Sequence, residues 1–429
     1  MKHNKLALFG GEKLIKTPFK RYNSIGEEEV LAAKKVVESG NLSQFIGSKG
    51  QDFLGGPKVI EFEKQLEKYF HVKNAITVNS WTSGLVAAIG AINIEPGDEV
   101  IVPTWTMCAT ATAILHWNAI PIFADIDPIS FCIDPISIEK NITPYTKAII
   151  AVDIFGQSAN MDKIMLLAKK YNLKVISDSA QAPGALYNKK FAGTLAHIGG
   201  FSLNYHKHIH TGEGGVLVTD NDELADRLRL IRNHGEAVIE TSSNHKLSNI
   251  IGHNFRLGEI ECAIGIEQLK KLNKIILRRQ EIANKISEGL IGLQGIILPH
   301  LKSKIHSTNV YYVYPIILDV NLLGIPRYKI IKALEAEGLK GLMSGYSNVH
   351  LLPLYQKKIA YGNKGFPWTS DICKRKVNYS KGICPISENL HDKTFLGFEM
   401  CLSEMTNDEI HLMIEAFKKV WDNLDLLKT

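Results

Sequence analysis

Residues 199–215 read Gly199-Gly200-Phe201-Ser202-Leu203-Asn204-Tyr205-His206-Lys207-His208-Ile209-His210-Thr211-Gly212-Glu213-Gly214-Gly215. An apolar segment with one serine runs into Lys207, a glycine-rich turn follows, and residues 216–219 are predicted to form a strand. A lysine held between two ordered segments is partly desolvated, which lowers its pKa and frees its amine to attack a carbonyl carbon. The alternative interpretation is a solvated loop lysine, and this stretch taken alone favours that alternative.

Length and composition indicate a soluble globular protein of more than one domain. The chain has 429 residues, of which 45% are hydrophobic and 22% charged, and this length favours two domains. A helical pattern runs over residues 257–289, and we place the boundary within it. The prediction is a large domain over residues 1–265 and a small C-terminal domain over residues 266–429.

Charge and cysteine content exclude several classes of function. The formal net charge of +6 is mild for this length and dispersed, so it suits an anionic small molecule but does not indicate nucleic-acid binding. The six cysteines form no Cys-x-x-Cys pair, so neither a zinc site nor a disulfide framework is indicated. With no signal peptide and no apolar run of membrane-spanning length, we expect a cytoplasmic protein without membrane contact.

Short apolar runs alternate with helical patterns through the first half of the chain. This order predicts an α/β fold with a mostly parallel sheet covered by helices. Ligands of such sheets bind beyond the carboxyl ends of the strands. The predicted strands cover residues 75–78, 99–102, 120–124, 148–152, 174–176, 200–203 and 216–219.

Two polar segments follow predicted strands. Asp178 comes just after residues 174–176, where a carboxylate beside a pyridine nitrogen would keep that nitrogen protonated; an N-cap aspartate is about as plausible. Asn79-Ser80-Trp81-Thr82 opens a predicted helix, whose free N–H groups suit a phosphate, although ordinary N-capping is the more frequent explanation of such residues.

Three histidines alternate around Lys207. On a strand, a spacing of two would place them on one face, which raises the question of a metal site. No carboxylate or cysteine cluster accompanies them in sequence, so we predict no metal site. The three are His206, His208 and His210.

Taken together and in this order, the motifs resemble those of the DegT/StrS family of PLP-dependent sugar aminotransferases. The resemblance runs through most of the chain. Its pieces are Leu8-Phe9-Gly10-Gly11, the turn Asn79-Ser80-Trp81-Thr82, the pair Asp178 and Gln181, Phe201-Ser202 before Lys207, Gly212-Glu213-Gly214-Gly215, and Gly252-His253-Asn254-Phe255-Arg256.

The resemblance implies a type I PLP fold, a pyridoxal 5'-phosphate cofactor and a homodimer with active sites at the subunit interface. Lys207 would bind the cofactor covalently and move the proton, and Asp178 would pair with the pyridine nitrogen. Gln181 would contact the ring hydroxyl, and Asn254 would reach the phosphate of the partner subunit's cofactor. The phosphate of its own cofactor would be held by Ser80, Trp81 (through its backbone), Thr82 and Ser202.

The chain departs from the family pattern at four positions. Trp81 stands where the phosphate turn usually has glycine, and Met107 stands where many relatives place an aromatic side chain over the cofactor ring. Asn204 and Pro183 replace histidines that are common near the lysine and after the aspartate. Met107 is therefore the expected neighbour of the ring, with Trp105 nearby but out of register.

The function implied by the resemblance is transfer of an amino group from glutamate or glutamine to a keto acceptor. The acceptor would be a nucleotide-linked or phosphorylated keto sugar, or a keto cyclitol. One alternative is a sugar dehydratase of the same family, some members of which replace the lysine with histidine. Another is a non-catalytic PLP-binding regulatory protein, although no helix-turn-helix pattern is present in the sequence.

Overall fold

The computed structural model describes residues 5–48, 50–236, 250–301 and 306–428. The strands, in chain order, are β1 Asn74–Val78, β2 Glu99–Pro103, β3 Ile120–Ala124, β4 Thr146–Val152, β5 Lys174–Asp178, β6 Leu186–Tyr187, β7 Lys190–Phe191, β8 Ile198–Ser202, β9 Gly215–Thr219, β10 Ile296–Ile297, β11 Val313–Leu318, β12 Leu342–Met343 and β13 Phe395–Glu399. The helices are α1 Glu27–Ser39, α2 Pro57–Phe70, α3 Trp81–Ala91, α4 Cys108–His116, α5 Pro135–Asn141, α6 Met161–Tyr171, α7 Asp222–Arg232, α8 Glu259–Leu290, α9 Val320–Leu323, α10 Arg327–Ala336, α11 Pro353–Gln356, α12 Pro385–Asn389 and α13 Asn407–Trp421.

A seven-stranded sheet in the order β1-β9-β8-β5-β4-β2-β3 forms the centre of the molecule. The five strands from β8 to β3 in that order run parallel, which confirms the predicted α/β class. β9 runs antiparallel to both β8 and β1. Residues 203–214 join β8 to β9 without a helix, and a parallel return normally needs a crossover with a helix.

Packing explains why the helices next to the sheet are so apolar. α3 lies between the sheet and other helices, and nine of its eleven residues are buried. Its small residues allow close approach: a Cβ added at Gly90 would lie 2.2 Å from the Trp117 ring. Burial of this kind stabilises helices mainly through tertiary contacts and only weakly through intrinsic propensity.

A second sheet, in the order β10-β11-β13-β12, packs against α13 and the last turns of α8. Leu6 and Ile15, from the start of the chain, are buried in the same core. A capping box at Thr406 begins α13. The long helix α8 contacts the cores on both sides, so its interior joins the two parts of the chain. The division at residue 265 stays a prediction.

Residues 341–385 contain only short elements and pack on the core of the large sheet. Tyr355 and Tyr379 are buried there, and the Tyr379 hydroxyl donates to the Pro121 carbonyl oxygen. Arg375 pairs with Glu99 at the first residue of β2, with 2.8 Å between Nε and Oε1. The lysine-rich part of this segment therefore lies near the amino ends of the strands. Within the described ranges, no helix is both long and apolar enough to cross a bilayer.

Glu337 ties the start of the chain to the C-terminal core. Its carboxylate is fully buried and accepts from Lys419 Nζ at 2.8 Å and from the backbone N–H groups of Ala7 and Leu14. Removing one member of a buried ion pair leaves an uncompensated charge, which costs about 3–5 kcal/mol.

We therefore expect Glu337→Ala to lower the free energy of unfolding by about 3–5 kcal/mol, measured by urea denaturation. The matched control is Glu139→Ala, which breaks the solvent-exposed pair with Lys170 and should change little. Equal effects of the two substitutions would show that the Glu337 cluster is not an anchor.

Candidate active site

A cavity of about 330 Å³ opens at the carboxyl ends of β5 and β8, a size within the usual range for small-molecule sites. It brings together most of the residues that the sequence singled out. Those lining it are Ser80, Trp81, Thr82, Met107, Asp178, Gln181, Ser202 and Lys207. Asn254 does not line the cavity of its own chain; it is exposed.

Lys207 is held in the loop between β8 and β9. Hydrogen bonds from Leu203 N to Gly214 O and from Thr211 N to Leu203 O close this loop beneath the cavity. The lysine is 9% exposed, and its Nζ lies 4.3 Å from the centre of the Tyr312 ring. Burial lowers the pKa of Lys207 to about 8, against the opposing charges of Asp178 and Glu399. The solvated-lysine interpretation is therefore wrong for this residue.

Asp178 ends β5 and is buried at the base of the cavity. Thr110 Oγ1 donates to its Oδ2 at 2.8 Å, and Trp81 Nε1 donates to its Oδ1 at 2.6 Å. Burial raises the pKa of Asp178, while these two donors, the backbone N–H of Ala180 and the charge of Lys207 lower it. Residues 179–185 form turns, so the alternative of a helix N-cap is not realised.

The first turn of α3 faces the cavity. Ser80 is its N-cap and accepts from the backbone N–H of Ser83 at 3.1 Å, so the capping interpretation of this segment is confirmed. Capping leaves the amides of Trp81 and Thr82 at a helix end, where first-turn N–H groups lack partners within the helix. Ser202, at the end of β8, is buried on the same cavity wall. This wall has the chemistry of an anion site.

Gln181 connects the base of the cavity to the C-terminal part of the chain. Its Oε1 accepts from the backbone N–H of Phe155 at 2.8 Å, and its Nε2 donates to the Tyr346 hydroxyl at 3.2 Å. Burial raises the pKa of the Tyr346 phenol to about 12, and the nearby charge of Asp178 adds to the rise. Tyr346 therefore stays a neutral hydroxyl that both donates and accepts hydrogen bonds.

Met107 is the N-cap residue of α4 and lies at the mouth of the cavity, 61% exposed. Its flexible thioether side chain suits contact with an aromatic ring. Trp105, the other side chain considered for this contact, is fully buried and packs on Phe131 and Phe155. It is therefore out of reach, as its register in the sequence predicts.

The three alternating histidines separate from one another. Residues 203–214 form a loop and not a strand, so the spacing of two does not place the side chains on one face. His206 lines the cavity, whereas His208 is buried with its Nε2 2.7 Å from the Val310 carbonyl oxygen. Among the described residues, no group of three or more histidine, cysteine, aspartate or glutamate side chains has a metal-binding arrangement.

Residues of the cavity wall that were not predicted from the sequence include Thr110, Tyr312, Tyr346 and Glu399, and His206 was considered only as a metal ligand. Thr110 carried a signal, because it lies in the helix that follows β2, four residues after Thr106, and the two hydroxyls lie 2.7 Å apart. Tyr312 and Glu399 carried none. Tyr312 directly precedes β11 and Glu399 is the last residue of β13. Only the tertiary fold brings these two residues to the cavity.

The lowered pKa of Lys207 predicts the pH dependence of its reactivity. Only the neutral amine reacts in reductive methylation, so its rate should rise with pH and reach half its maximum near pH 8, as the pKa of about 8 requires. The pKa of an ordinary lysine is about 10.4. Mass spectrometry of the ligand-free protein measures the rate, and the exposed Lys174 reports the reagent's own pH response. A half-maximum near pH 10 would contradict the burial of Lys207.

Comparisons with known proteins identify the family of the chain. The model of the DegT/DnrJ/EryC1/StrS aminotransferase family matches residues 32–392. Spore coat polysaccharide biosynthesis protein SpsC of Bacillus subtilis is 35% identical over 82% of this chain and 89% of its own. A GDP-perosamine synthase of Caulobacter vibrioides is 36% identical over 70% of this chain and 79% of its own.

A solved structure adds the cofactor. NtdA from Bacillus subtilis, with bound cofactor PMP, is 28% identical and aligns with a TM-score of 0.74 over 97% of this chain and 87% of that chain. PMP is the aminated form of pyridoxal phosphate, so the matched fold is that of a PLP-dependent enzyme. The chain described here belongs to the DegT/DnrJ/EryC1/StrS aminotransferase family and is a pyridoxal-phosphate-dependent aminotransferase of fold type I.

Proposed function

We propose that this enzyme transfers an amino group from glutamate or glutamine to the keto carbon of a sugar or cyclitol in amino-sugar biosynthesis. The observation that carries the proposal is the composition of one cavity. It joins a buried lysine of lowered pKa and a buried aspartate to a wall of hydroxyl-binding side chains. The sugar names of the relatives SpsC and GDP-perosamine synthase support the same acceptor class.

The residues of the cavity fit pyridoxal 5'-phosphate. When bound, this cofactor acts as an electron sink for the carbon that gains or loses the amino group. In this proposal Lys207 attaches it, Asp178 holds the proton on its pyridine nitrogen, and Gln181 contacts its ring hydroxyl. Met107 would contact its ring. Its phosphate would be held by Ser80, Ser202, Thr82 and the backbone of Trp81.

Lys207 is suited to proton transfer at neutral pH. With a pKa of about 8, its amine exchanges a proton readily near the operating pH, which is the condition for efficient general acid–base catalysis. The Tyr312 ring beside Nζ favours the charged amine, since a cation is attracted to an aromatic face. The buried position limits competition from water. Lys207 would take the proton from the donor carbon and return it on the acceptor side.

The acceptor side of the cavity carries two carboxylates, Glu213 and Glu399, together with Asn204 and His206. Asn204 Nδ2 donates to Glu213 Oε1 at 2.7 Å, and burial raises the pKa of Glu399. Carboxylates and amide oxygens accept hydrogen bonds from hydroxyl groups, and the carboxylates repel anions. The part of the acceptor that enters the cavity is therefore neutral and rich in hydroxyls, and any phosphate of the acceptor lies farther out.

The lysine-rich segment does not supply that outer site in this chain. Its six basic residues, from Lys357 to Lys376, carry the charge to attract an anionic substrate, although solvated surface charge is the more frequent role of such residues; in the described chain none of them lines the cavity. Arg375 pairs with Glu99 near the opposite edge of the sheet. The solvated-surface interpretation of these charges is the better one.

The two alternatives have less support. The dehydratase interpretation requires loss of the lysine in the manner of some relatives, whereas Lys207 is present and buried in the cavity. A purely regulatory PLP-binding protein needs no proton-transfer residue, yet burial has tuned the pKa of Lys207 to about 8.

We also propose a cytoplasmic homodimer with shared active sites. Two exposed residues support a shared site. Met107, at the mouth of the cavity, is 61% exposed, and Asn254 is exposed without lining the cavity of its own chain. Exposed apolar side chains on α1, Val30 and Val37 among them, offer surface for a partner. All six cysteines are free thiols, which suits a reducing compartment.

The acceptor class is tested by turnover with three sets of substrates. We expect amination of nucleotide-linked or phosphorylated keto sugars, or of keto cyclitols, with glutamate or glutamine as the donor. Amino-sugar product is measured by mass spectrometry. The control is Lys207→Arg, which keeps the positive charge but lacks the reactive amine. Amination of simple 2-oxo acids with no activity on any sugar or cyclitol would refute the acceptor assignment.

Shared sites are tested by hybrid dimers. Lys207→Ala and Asn254→Ala should each be nearly inactive, and each hybrid dimer should regain one intact site from the two unmutated residues. Random exchange of subunits then restores about a quarter of the wild-type activity. No recovery, under conditions in which labelled subunits exchange, would show that each site is built from one chain.

A further inference from the structure

Trp81 occupies a slot that the rest of the chain leaves open for its indole ring. A Cβ added at Gly84 would lie 2.7 Å from the ring, and one added at Gly200 would lie 2.2 Å from it. These distances are too short for any other residue at either position. The ring is 6% exposed, so its placement beneath the cavity is fixed by packing on both sides.

The hydrogen bond of Trp81 differs from those of the other tryptophans. All five indole N–H groups of the chain have an acceptor, and four of these acceptors are neutral oxygens. Trp81 alone donates to a carboxylate, at 2.6 Å. The neutral acceptors are Asn348 Oδ1 for Trp105, Val86 O for Trp117, the Tyr379 hydroxyl for Trp368 and Gln294 O for Trp421.

The donors around Asp178 are distributed unequally between its two oxygens. Oδ1 accepts from Trp81 Nε1 at 2.6 Å and from the backbone N–H of Ala180 at 3.2 Å, whereas Oδ2 accepts from Thr110 Oγ1 at 2.8 Å. A carboxylate oxygen has about two lone-pair sites. Oδ1 is therefore filled by the protein, and Oδ2 keeps one site for a further donor.

We infer that Trp81 is a positioning residue for the reaction. Its indole N–H fixes the Asp178 carboxylate in the rotamer that leaves Oδ2 free to accept a hydrogen bond from the protonated pyridine nitrogen. The inference rests on the proposed function for the role of Asp178, and it adds a task for the Trp81 side chain beyond that of its backbone. Gly84 leaves room for the ring, and Gly200 leaves room both for the ring and for the Val216 carbonyl oxygen, which a Cβ there would meet at 2.1 Å.

A charged acceptor makes the contact strong, and its loss has a defined consequence. A hydrogen bond to an ionised group is shorter and about twice as strong as one between neutral groups. Without the indole, Oδ1 keeps only the longer contact from Ala180, and the carboxylate rotates more freely. A small misplacement of a reacting group slows catalysis more than it weakens substrate binding.

The contact is tested first in the ligand-free, full-length protein. Tryptophan labelled with ¹⁵N gives five indole N–H signals, and we expect the Trp81 signal to lie downfield because its acceptor is charged. In Asp178→Asn this signal should move upfield while the other four stay in place. Five unmoved signals would overturn the inference. Trp81→Phe assigns the signal, and if that variant does not fold, the response to Asp178→Asn alone decides.

The effect on the reaction is tested in the cofactor-loaded enzyme. Trp81→Phe should lower kcat roughly ten-fold or more with little change in the KM of the acceptor, and should cause no further loss when added to Asp178→Asn. The matched control is Trp117→Phe, which removes an equally buried indole donor to a neutral carbonyl and should leave kcat unchanged. Equal losses in the two variants, or full additivity with Asp178→Asn, would overturn the positioning role.

The two proposals fail separately. A wild-type enzyme without activity on any keto acceptor refutes the proposed function, while the indole signal still decides the contact between Trp81 and Asp178. Normal transamination together with an unmoved signal refutes the positioning role alone.

Discussion

The burial of charge at the carboxyl end of β5 is the constraint on which the site depends. Asp178 is placed where water cannot solvate it, and an isolated carboxylate in such a place would become protonated. Trp81, Thr110 and the backbone of Ala180 replace the lost water with fixed donors. A second buried carboxylate, Asp153, has its pKa raised to about 6 by burial, with the charge of Asp178 adding to the rise. Two buried carboxylates therefore lie beneath the cavity, and the hydrogen-bond donors around each of them offset the cost of burying its charge.

The local structure around Trp81 reflects the same constraint. Glycine within a helix or strand costs about 0.5–1 kcal/mol relative to alanine, and both α3 and β8 carry one against the indole ring, at Gly84 and Gly200. Each glycine weakens its own element and opens the space that the ring fills. The family pattern, with glycine in the phosphate turn, needs no such slot. The tryptophan and the glycines form one packed unit, in which changing any member affects the other two.

The sequence was sufficient for the fold class, for the seven strands of the large sheet, and for the lysine-centred segment that lines the cavity. Strand alternation and the loop around Lys207 are local signals, and the structure follows them closely. Tyr312 and Glu399 were not predictable, because they reach the cavity through the packing of the second sheet. The position of Arg375 has the same origin. Its positive charge is visible in the sequence, whereas its pairing with Glu99 depends on how residues 341–385 return to the large sheet.

The two halves of the cavity come from different parts of the chain. The residues assigned to the cofactor lie on the large sheet, at the starts of α3 and α4, and in the turns and loop that follow β5 and β8. The C-terminal part of the chain adds Tyr312, Tyr346 and Glu399 to the cavity, and Glu399 belongs to the wall assigned to the acceptor. The hydrogen bond between Gln181 and Tyr346 joins the two halves at the base of the cavity. This separation allows one chemistry to serve many acceptors, since the C-terminal wall changes without disturbing the buried charge of Asp178. The hydroxyl-binding wall of this chain is accordingly the better guide to its acceptor, and the charged network around Asp178 is the better guide to its reaction.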